Sequence, residues 1–387
     1  MAANPQRLAE LADQCVKCGL CVPLCPTYRV ARTEAESPRG RVAFAAVIAA
    51  GGEASPSMRD HLDRCLACMT CERVCPSHVK FGEIIVGARS LARTDGTGTR
   101  SRRLTELLRH PRALRWSLRA ADALRALIPL RVMREAPRVP PLPTFETAKP
   151  GRTPRGRIAL FIGCVAAVAD RDVRAAARNL LRALGYDVVI PPMQGCCGAL
   201  TLHDGAIDES ARIAAPTRKA FVDANVDTVL VSASGCFGTL RDHTLKGTSI
   251  RVREIHEFLA GDEAFSSLRF AALAKTAALH TPCTQANVAK ADGAIAALLA
   301  RIPELVVSPL PGEPRCCGAA GDYFLRHPHT ADALRAEKLD QVESLQPDFL
   351  VTSNVGCRVF LDNGLRARRP RVPVKHPVVL LAEQLEN

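Results

Sequence analysis

Aromatic side chains are scarce: one Trp, three Tyr and 12 Phe amount to 4 % of the 387 residues. A surface that holds single-stranded nucleic acid by stacking bases on rings is therefore excluded, and no recognised nucleic-acid-binding motif accompanies the basic charge. Long apolar runs are also missing. Uncharged candidates such as 158–169 stop well short of the ~18 apolar residues that a bilayer-spanning helix needs. There is no dinucleotide fingerprint, because Gly96 and Gly98 form a lone GxG with no strand before it and no third glycine. Nor does the chain open on a secretory signal: Met1-Ala2-Ala3-Asn4 leads straight into a polar, charged helical pattern. A reducing, cytoplasmic setting is the expectation, in which 16 cysteines point to metal or redox use and not to disulfides.

What remains is ordinary globular material, 47 % hydrophobic and 24 % charged, long enough for about two to four domains. The formal charge of +13 is concentrated. Residues 89–157 hold 17 Lys/Arg against 5 Asp/Glu, so the rest of the chain sums to about +1. Within this connector Leu114, Leu118, Ala121, Leu124 and Ile128 recur at steps of three and four among arginines, the pattern of a basic amphipathic helix. It is expected to end near Pro129, with Pro137 to Pro143 as a stiff extended tether. Two readings stand: a solvated packing helix, or attachment to a membrane surface or an acidic partner through Arg115, Arg119 and Arg125.

The cysteines fall into two groups. Cys15-x2-Cys18-x2-Cys21-x3-Cys25-Pro26 is repeated as Cys65-x2-Cys68-x2-Cys71-x3-Cys75-Pro76. Two-residue gaps let three thiolates reach three corners of one cubane, and in two-cluster ferredoxins the fourth cysteine of each run ligates the other cluster. On that rule Cys15, Cys18, Cys21 and Cys75 hold one [4Fe–4S] cluster, and Cys25, Cys65, Cys68 and Cys71 hold the second. Structural zinc uses pairs of CxxC without a third cysteine at the next step, which sets it aside. A short helix at 5–14 leads into the first motif, and helical stretches through Ile48 and Ala49 and at 58–64 separate it from the second, which favours an α-helical ferredoxin over a compact hairpin type. His61 is expected beside a cluster.

The second group belongs to a duplication. Cys164, Cys196-Cys197-Gly198 and Cys236 recur as Cys283, Cys316-Cys317-Gly318 and Cys357, at offsets of 119 to 121, and His256 recurs as His376. Apolar runs at 158–162, 187–190, 228–231, 276–279, 305–307 and 349–351 alternate with helical stretches, predicting α/β units on parallel sheets. The cysteines then sit at the C-terminal ends of strands, where such sheets place ligands. An adjacent Cys-Cys pair aims both sulfurs at one point only from a turn. Metal or redox chemistry and plain structural thiols both remain open for these eight residues. His203 and His280 lie near the loops and read as hydrogen-bonded structural residues.

The chain thus divides into a two-cluster ferredoxin domain (1–88), a connector (89–157) and two Cys-rich α/β repeats (158–262 and 275–387). With Cys25-Pro26-Thr27-Tyr28, Ser37-Pro38-Arg39-Gly40-Arg41 and His61-Leu62-Asp63-Arg64-Cys65-Leu66, this order resembles the iron–sulfur subunits of glycolate oxidase. Lactate-utilisation iron–sulfur proteins and the small subunit of anaerobic glycerol-3-phosphate dehydrogenase share the architecture. The resemblance implies partner subunits that carry FAD and oxidise a 2-hydroxy acid, with this chain relaying electrons to a quinone or another acceptor at the inner face of the cell membrane. No general base or flavin site is visible here, so substrate oxidation is expected on the partner. The repeats are also similar to those of heterodisulfide reductase, a thiol–disulfide enzyme whose repeats end in CxxC. Here Thr239 and Phe360 stand three residues beyond Cys236 and Cys357, which removes one ligand per repeat.

Overall fold

The computed structural model describes residues 4–93, 106–107, 110–125, 127, 130–141, 143, 155–312 and 314–386. The loop expected at 94–99 and the helix end expected at Ile128 and Pro129 lie outside the described residues. Residues 4–93 are helical, with no strand among them. Three helices begin on proline behind a capping side chain: Pro5–Asp13 behind Asn4, Pro38–Ala49 behind Ser37 and Pro56–Asp63 behind Ser55. Proline suits that first position because the amide it lacks would have no partner there anyway. Leu8, Leu11, Val42, Ala45, Ile84 and Ile85 form the core that joins the first two of these to the helix Phe81–Leu91.

Each repeat folds around its own four-stranded parallel sheet. In the first, β1 (Arg157–Phe161), β2 (Asp187–Val189), β3 (Thr228–Val231) and β4 (Arg251–Glu254) stand in the order β2-β1-β3-β4. In the second, β5 (Lys275–Leu279), β6 (Leu305–Pro309), β7 (Phe349–Val351) and β8 (Val374–Lys375) stand as β6-β5-β7-β8. Two of the four edge strands, β4 and β8, carry no legible signal in sequence. Arg251-Val252-Arg253-Glu254 is charged, as suits an edge, and β8 has only two residues. Central β3 is buried along its whole length, as a strand covered on both faces must be. Chain direction switches between β1 and β3, and again between β5 and β7, so the loops that follow those strands part to leave a crevice.

The repeats pack on each other reciprocally. Helix Arg171–Ala183 of the first lies against Pro377–Gln384 of the second, and Ile255–Ala260 lies against Ala294–Leu299. Leu180, Leu181, Leu259, Leu298, Val379 and Leu381 fill one shared core. His256 and His376 meet there with ring centroids 5.3 Å apart, so the matching histidines are packing residues of the joint.

The connector is not a free tether. Helix Pro111–Leu124 turns Leu114 and Leu118 onto Cys196 and Ile213 of the first repeat. Further on, Arg131 pairs with Asp332, Glu135 accepts from Arg335, and the Val139 amide donates to Asp122. The extended stretch from Pro137 is therefore pinned by its polar neighbours.

Arg358 locks the two repeats together. It is buried beside Cys357 and reaches across to Asp170 (2.5 Å), Asp172 (2.8 Å) and the carbonyl of Ala169. Burial pushes the Asp170 carboxyl up to about 6 against the pull of Arg358, and its second oxygen has no hydrogen-bond partner. Arg358→Ala would strand two carboxylates, and the expected loss is about 3 kcal/mol. Chemical denaturation at neutral pH measures it, and an unchanged midpoint would remove the pair from the account of repeat docking.

Candidate functional site

Three sulfurs spaced by two residues converge only if the chain between them curls. In both motifs the curl is made by left-handed residues at matching places: Lys17 and Gly19 in the first, Ala67 and Met69 in the second. A Cβ on Gly19 would stand 2.9 Å from the Arg39 guanidinium, so glycine also leaves that arginine room to cap the loop.

The second motif encloses a cavity lined by Cys65, Cys68 and Cys71 together with Cys25 from the first motif. In the first motif Cys21 feels the charges of Cys15, Cys18 and Cys25, and burial pushes its thiol up to about 11. Cys15 and Cys75 pack on the same helical core, whereas Cys18 is exposed. Burial and the neighbouring thiols also push Cys68 and Cys71 well above the ordinary thiol range. Ionising several such thiols in one dry pocket needs compensating positive charge. An all-sulfur donor set at this spacing fits iron–sulfur clusters, and iron would supply that charge.

Two buried arginines supply more. Arg41, 1 % exposed, donates to the carbonyls of His61 and Glu36, to Thr27 Oγ1 and to the Glu36 carboxylate, and its guanidinium lies 4.0 Å from Cys25 Sγ. His61 Nδ1 meets Glu36 on the far side at 2.8 Å. Arg89 donates to the carbonyls of Leu62, Asp63 and Cys65, and to that of His203 in the first repeat. His61 thus belongs to the polar network of Arg41 and Glu36. Arg89 carries no sequence signal, being one arginine among many at the start of a basic segment.

In the second repeat Cys283, Cys316, Cys317 and Cys357 are all buried. Cys317 and Cys357 approach to 3.1 Å, Cys283 hydrogen-bonds Cys316, and the ligating atoms of His280, Cys317 and Cys357 lie within 4.8 Å of one another. The turn depends on Gly318, at φ +91°, where a Cβ would meet the Ala331 carbonyl at 2.5 Å. His280 is hydrogen-bonded by Nδ1 to Thr352 at 2.9 Å, as its structural reading requires, yet it also faces the thiols. In the first repeat Cys164, Cys196, Cys197 and Cys236 form a hydrogen-bonded chain, and Phe161 stands three residues before Cys164 where His280 stands before Cys283. Cys68 shares a buried cluster with Cys283 and Cys316, and Asn287 donates to the Cys68 carbonyl at 2.7 Å. The second cluster motif therefore abuts the second repeat.

The 4Fe-4S dicluster domain profile matches residues 11–79, and that of a cysteine-rich domain matches twice, at 158–241 and 277–362. A probable glycolate oxidase iron-sulfur subunit of Bacillus subtilis is 31 % identical over 394 residues, covering 91 % of this chain and 88 % of that protein. The glycolate oxidase iron-sulfur subunit of Escherichia coli is 29 % identical over 397 residues, covering 96 % and 94 %. The chain belongs to the glycolate oxidase iron–sulfur subunit family. More distant is a fumarate reductase (CoM/CoB) subunit of Methanothermobacter marburgensis, 25 % identical over 362 residues, covering 91 % of this chain and 68 % of that protein. A glycolate oxidase iron–sulfur subunit is a component of an oxidoreductase, and the dicluster and cysteine-rich matches cover all 16 cysteines of this chain.

Crossed ligation, the rule for this cysteine spacing, predicts which cluster each fourth cysteine serves. Cys25→Ser should disturb the cluster of the second motif and Cys75→Ser that of the first, each removing about four of about eight irons per chain. Iron analysis with low-temperature electron paramagnetic resonance on anaerobically purified variants reads this. Identical residual spectra from the two variants would contradict crossed ligation.

Proposed function

We propose that this subunit takes electrons from a FAD-containing 2-hydroxy-acid dehydrogenase subunit and hands them toward a quinone or another membrane acceptor. Cys15, Cys18, Cys21 and Cys75 would hold one [4Fe–4S] cluster and Cys25, Cys65, Cys68 and Cys71 the other, which when bound supply one-electron steps. The observation that carries the reading is the cavity in which Cys25 joins Cys65, Cys68 and Cys71 directly against the thiols of the second repeat. Substrate oxidation itself is assigned to the flavin-bearing partner.

The two ends of the relay differ in exposure. Cys18 is exposed, and Val16, Leu20 and Leu24 around it are exposed apolar side chains, which suits the side where a flavoprotein docks. Cys68 is buried against Cys283 and Cys316, which suits internal transfer. The His280, Cys317 and Cys357 group would be a further metal or redox station. A second reading, thiol–disulfide chemistry at Cys316-Cys317, is favoured by the 3.1 Å approach of Cys317 to Cys357. No described helix is long and apolar enough to cross a membrane, so contact with a membrane acceptor would be peripheral.

Leu20→Glu puts a charge on the proposed entry side without touching a cysteine. Reduction of the clusters by the flavoprotein, followed by anaerobic stopped-flow absorbance, should slow at least about tenfold at unchanged iron content. An unaltered rate would move the entry elsewhere. Clusters that no flavoprotein donor reduces in the unaltered protein would end the relay reading.

A further inference from the structure

The connector helix carries a second apolar stripe that the periodicity of its leucines conceals. Leu114 and Leu118 face the first repeat, with Leu114 only 4 % exposed. On the opposite side Ala113, Trp116, Ala120, Ala123 and Leu124 recur at steps of three and four, and all are exposed. Leu127, Leu130 and Val132 continue the exposed run; Trp116 is 71 % and Leu127 76 % exposed. A helix apolar on two sides belongs between two apolar layers, and the first repeat provides one.

The charges say what provides the other. Arg112 and Arg119 flank the outward stripe and are exposed. Asp122, the acid of this helix, is turned away from it, held by Arg125 and by the Val139 amide. Arg125 also points inward, donating to the carbonyls of Arg134 and Ala136, so it is not one of the outward cations that the sequence suggested. Among the described residues of this helix, the outward face thus offers a tryptophan, a leucine and arginines, with no carboxylate. Its one neutral polar side chain, Ser117, donates to the Ala113 carbonyl of its own helix. A protein interface of useful size would use about one hydrogen bond per 100–200 Å², with donors and acceptors on both sides, and on this helix the outward face offers chiefly the guanidiniums of Arg112 and Arg119, donors with no carboxylate or amide side chain beside them to accept. An anionic lipid surface asks for what is present: apolar wedges with a Trp at headgroup depth and cations beside phosphates.

We propose that the face formed by Trp116, Leu124, Leu127, Leu130 and Val132, with Arg112 and Arg119, seats this subunit on an anionic phospholipid bilayer. The proposal rests on the reading that electrons leave toward a membrane acceptor, and it names the surface that would hold the chain there. Apolar side chains enter the boundary between headgroups and acyl chains, the helix lies parallel to the membrane plane, and the two arginines meet lipid phosphates. The first repeat then sits directly above the bilayer.

The experiment uses the full chain with its clusters and vesicles of phosphatidylcholine containing about one-third phosphatidylglycerol. Sedimentation should carry the protein down with these vesicles, and less so with pure phosphatidylcholine or at high salt. Trp116→Ala combined with Leu127→Ala should weaken binding at least about tenfold, as should Arg112→Glu combined with Arg119→Glu. Iron content and the rate of cluster reduction by the flavoprotein in solution should be unchanged, since these side chains are exposed and their helix packs on the first repeat through its other face. Absence of the unaltered protein from anionic vesicles, or equal binding by either double variant, overturns the proposal. Loss of flavoprotein affinity in the variants with no vesicle binding assigns the face to a protein contact and overturns it too. If flavoprotein fails to reduce the clusters while vesicle binding behaves as expected, the relay reading falls and the lipid surface stands.

Discussion

Packing several thiolates into a space with little water is the constraint on which the rest of the structure turns. Each ionised sulfur raises the cost of the next, and burial raises it for all. The chain meets that cost with backbone and with charge. Left-handed residues at Lys17, Gly19, Ala67 and Met69 bend each motif around its own sulfurs. Cys25 crosses from one motif to the other, so the helical domain cannot come apart without opening the cavity. Arg41 and Arg89 bring permanent positive charge under the second motif, each held by carbonyls that fix its position. Arg89 does a second job through the His203 carbonyl, because the same guanidinium that backs Cys65 also ties the domain to the first repeat.

Duplication has produced two sheets with one topology and two different sites. The second repeat has His280 beside its thiols and faces Cys68; the first has Phe161 at the corresponding place and faces the connector helix. A phenyl ring can neither ligate a metal nor move a proton, so the first site is reduced to its four sulfurs. Leu114 packs beside Cys196, closing that site with apolar surface. One repeat is thus continuous with the cluster domain and the other with the segment that holds most of the net charge.

Much of this was legible in the sequence alone. Cysteine spacing marked the motifs, and the offsets of 119 to 121 marked the duplication, because sulfur ligation and a Cys-Cys-Gly turn tolerate few substitutes. Six strands were visible as apolar runs: the central ones because a strand covered on both faces has no polar side, and the edge strands β2 and β6 because Val188-Val189 and Leu305-Val306-Val307 are apolar all the same. β4 and β8 were not, because β4 sets its valine among charged residues and β8 has only two residues. The connector misled in a specific way. Leu114 and Leu118 of its period meet the first repeat, but Leu124 of the same period is exposed on the outward side with Trp116, because helical period alone cannot say which side meets protein. Arg358, Arg89 and Asn287 were invisible for another reason: their partners are 24 to 219 residues away in sequence, and nothing local distinguishes them from solvated side chains.

The position of the cluster domain follows from the sheets. Open parallel sheets leave a crevice at the strand ends where chain direction switches, and small ligands usually occupy it. Here residues 26–93 are bonded to loops and helices beyond those strand ends in both repeats. Arg89 meets His203 and Arg93 meets Asp204 in the first; Asp63 meets Arg326 and His327, and Asn287 meets Cys68, in the second. In the second repeat, where Leu66 and Cys68 pack with Cys283, Cys316 and Cys357, the helical domain occupies the ground a ligand would otherwise hold; in the first, the connector helix lies against Cys164 and Cys196. Several of these pairs are largely shielded from water, so they hold more firmly than exposed surface pairs would. Electron transfer favours such fixity, because a redox centre in a folded crevice keeps one distance to its neighbour, while a domain on a loose tether would not. The duplicated sheets are then best understood as a cradle whose shape fixes where the thiols of the second motif meet those of the second repeat.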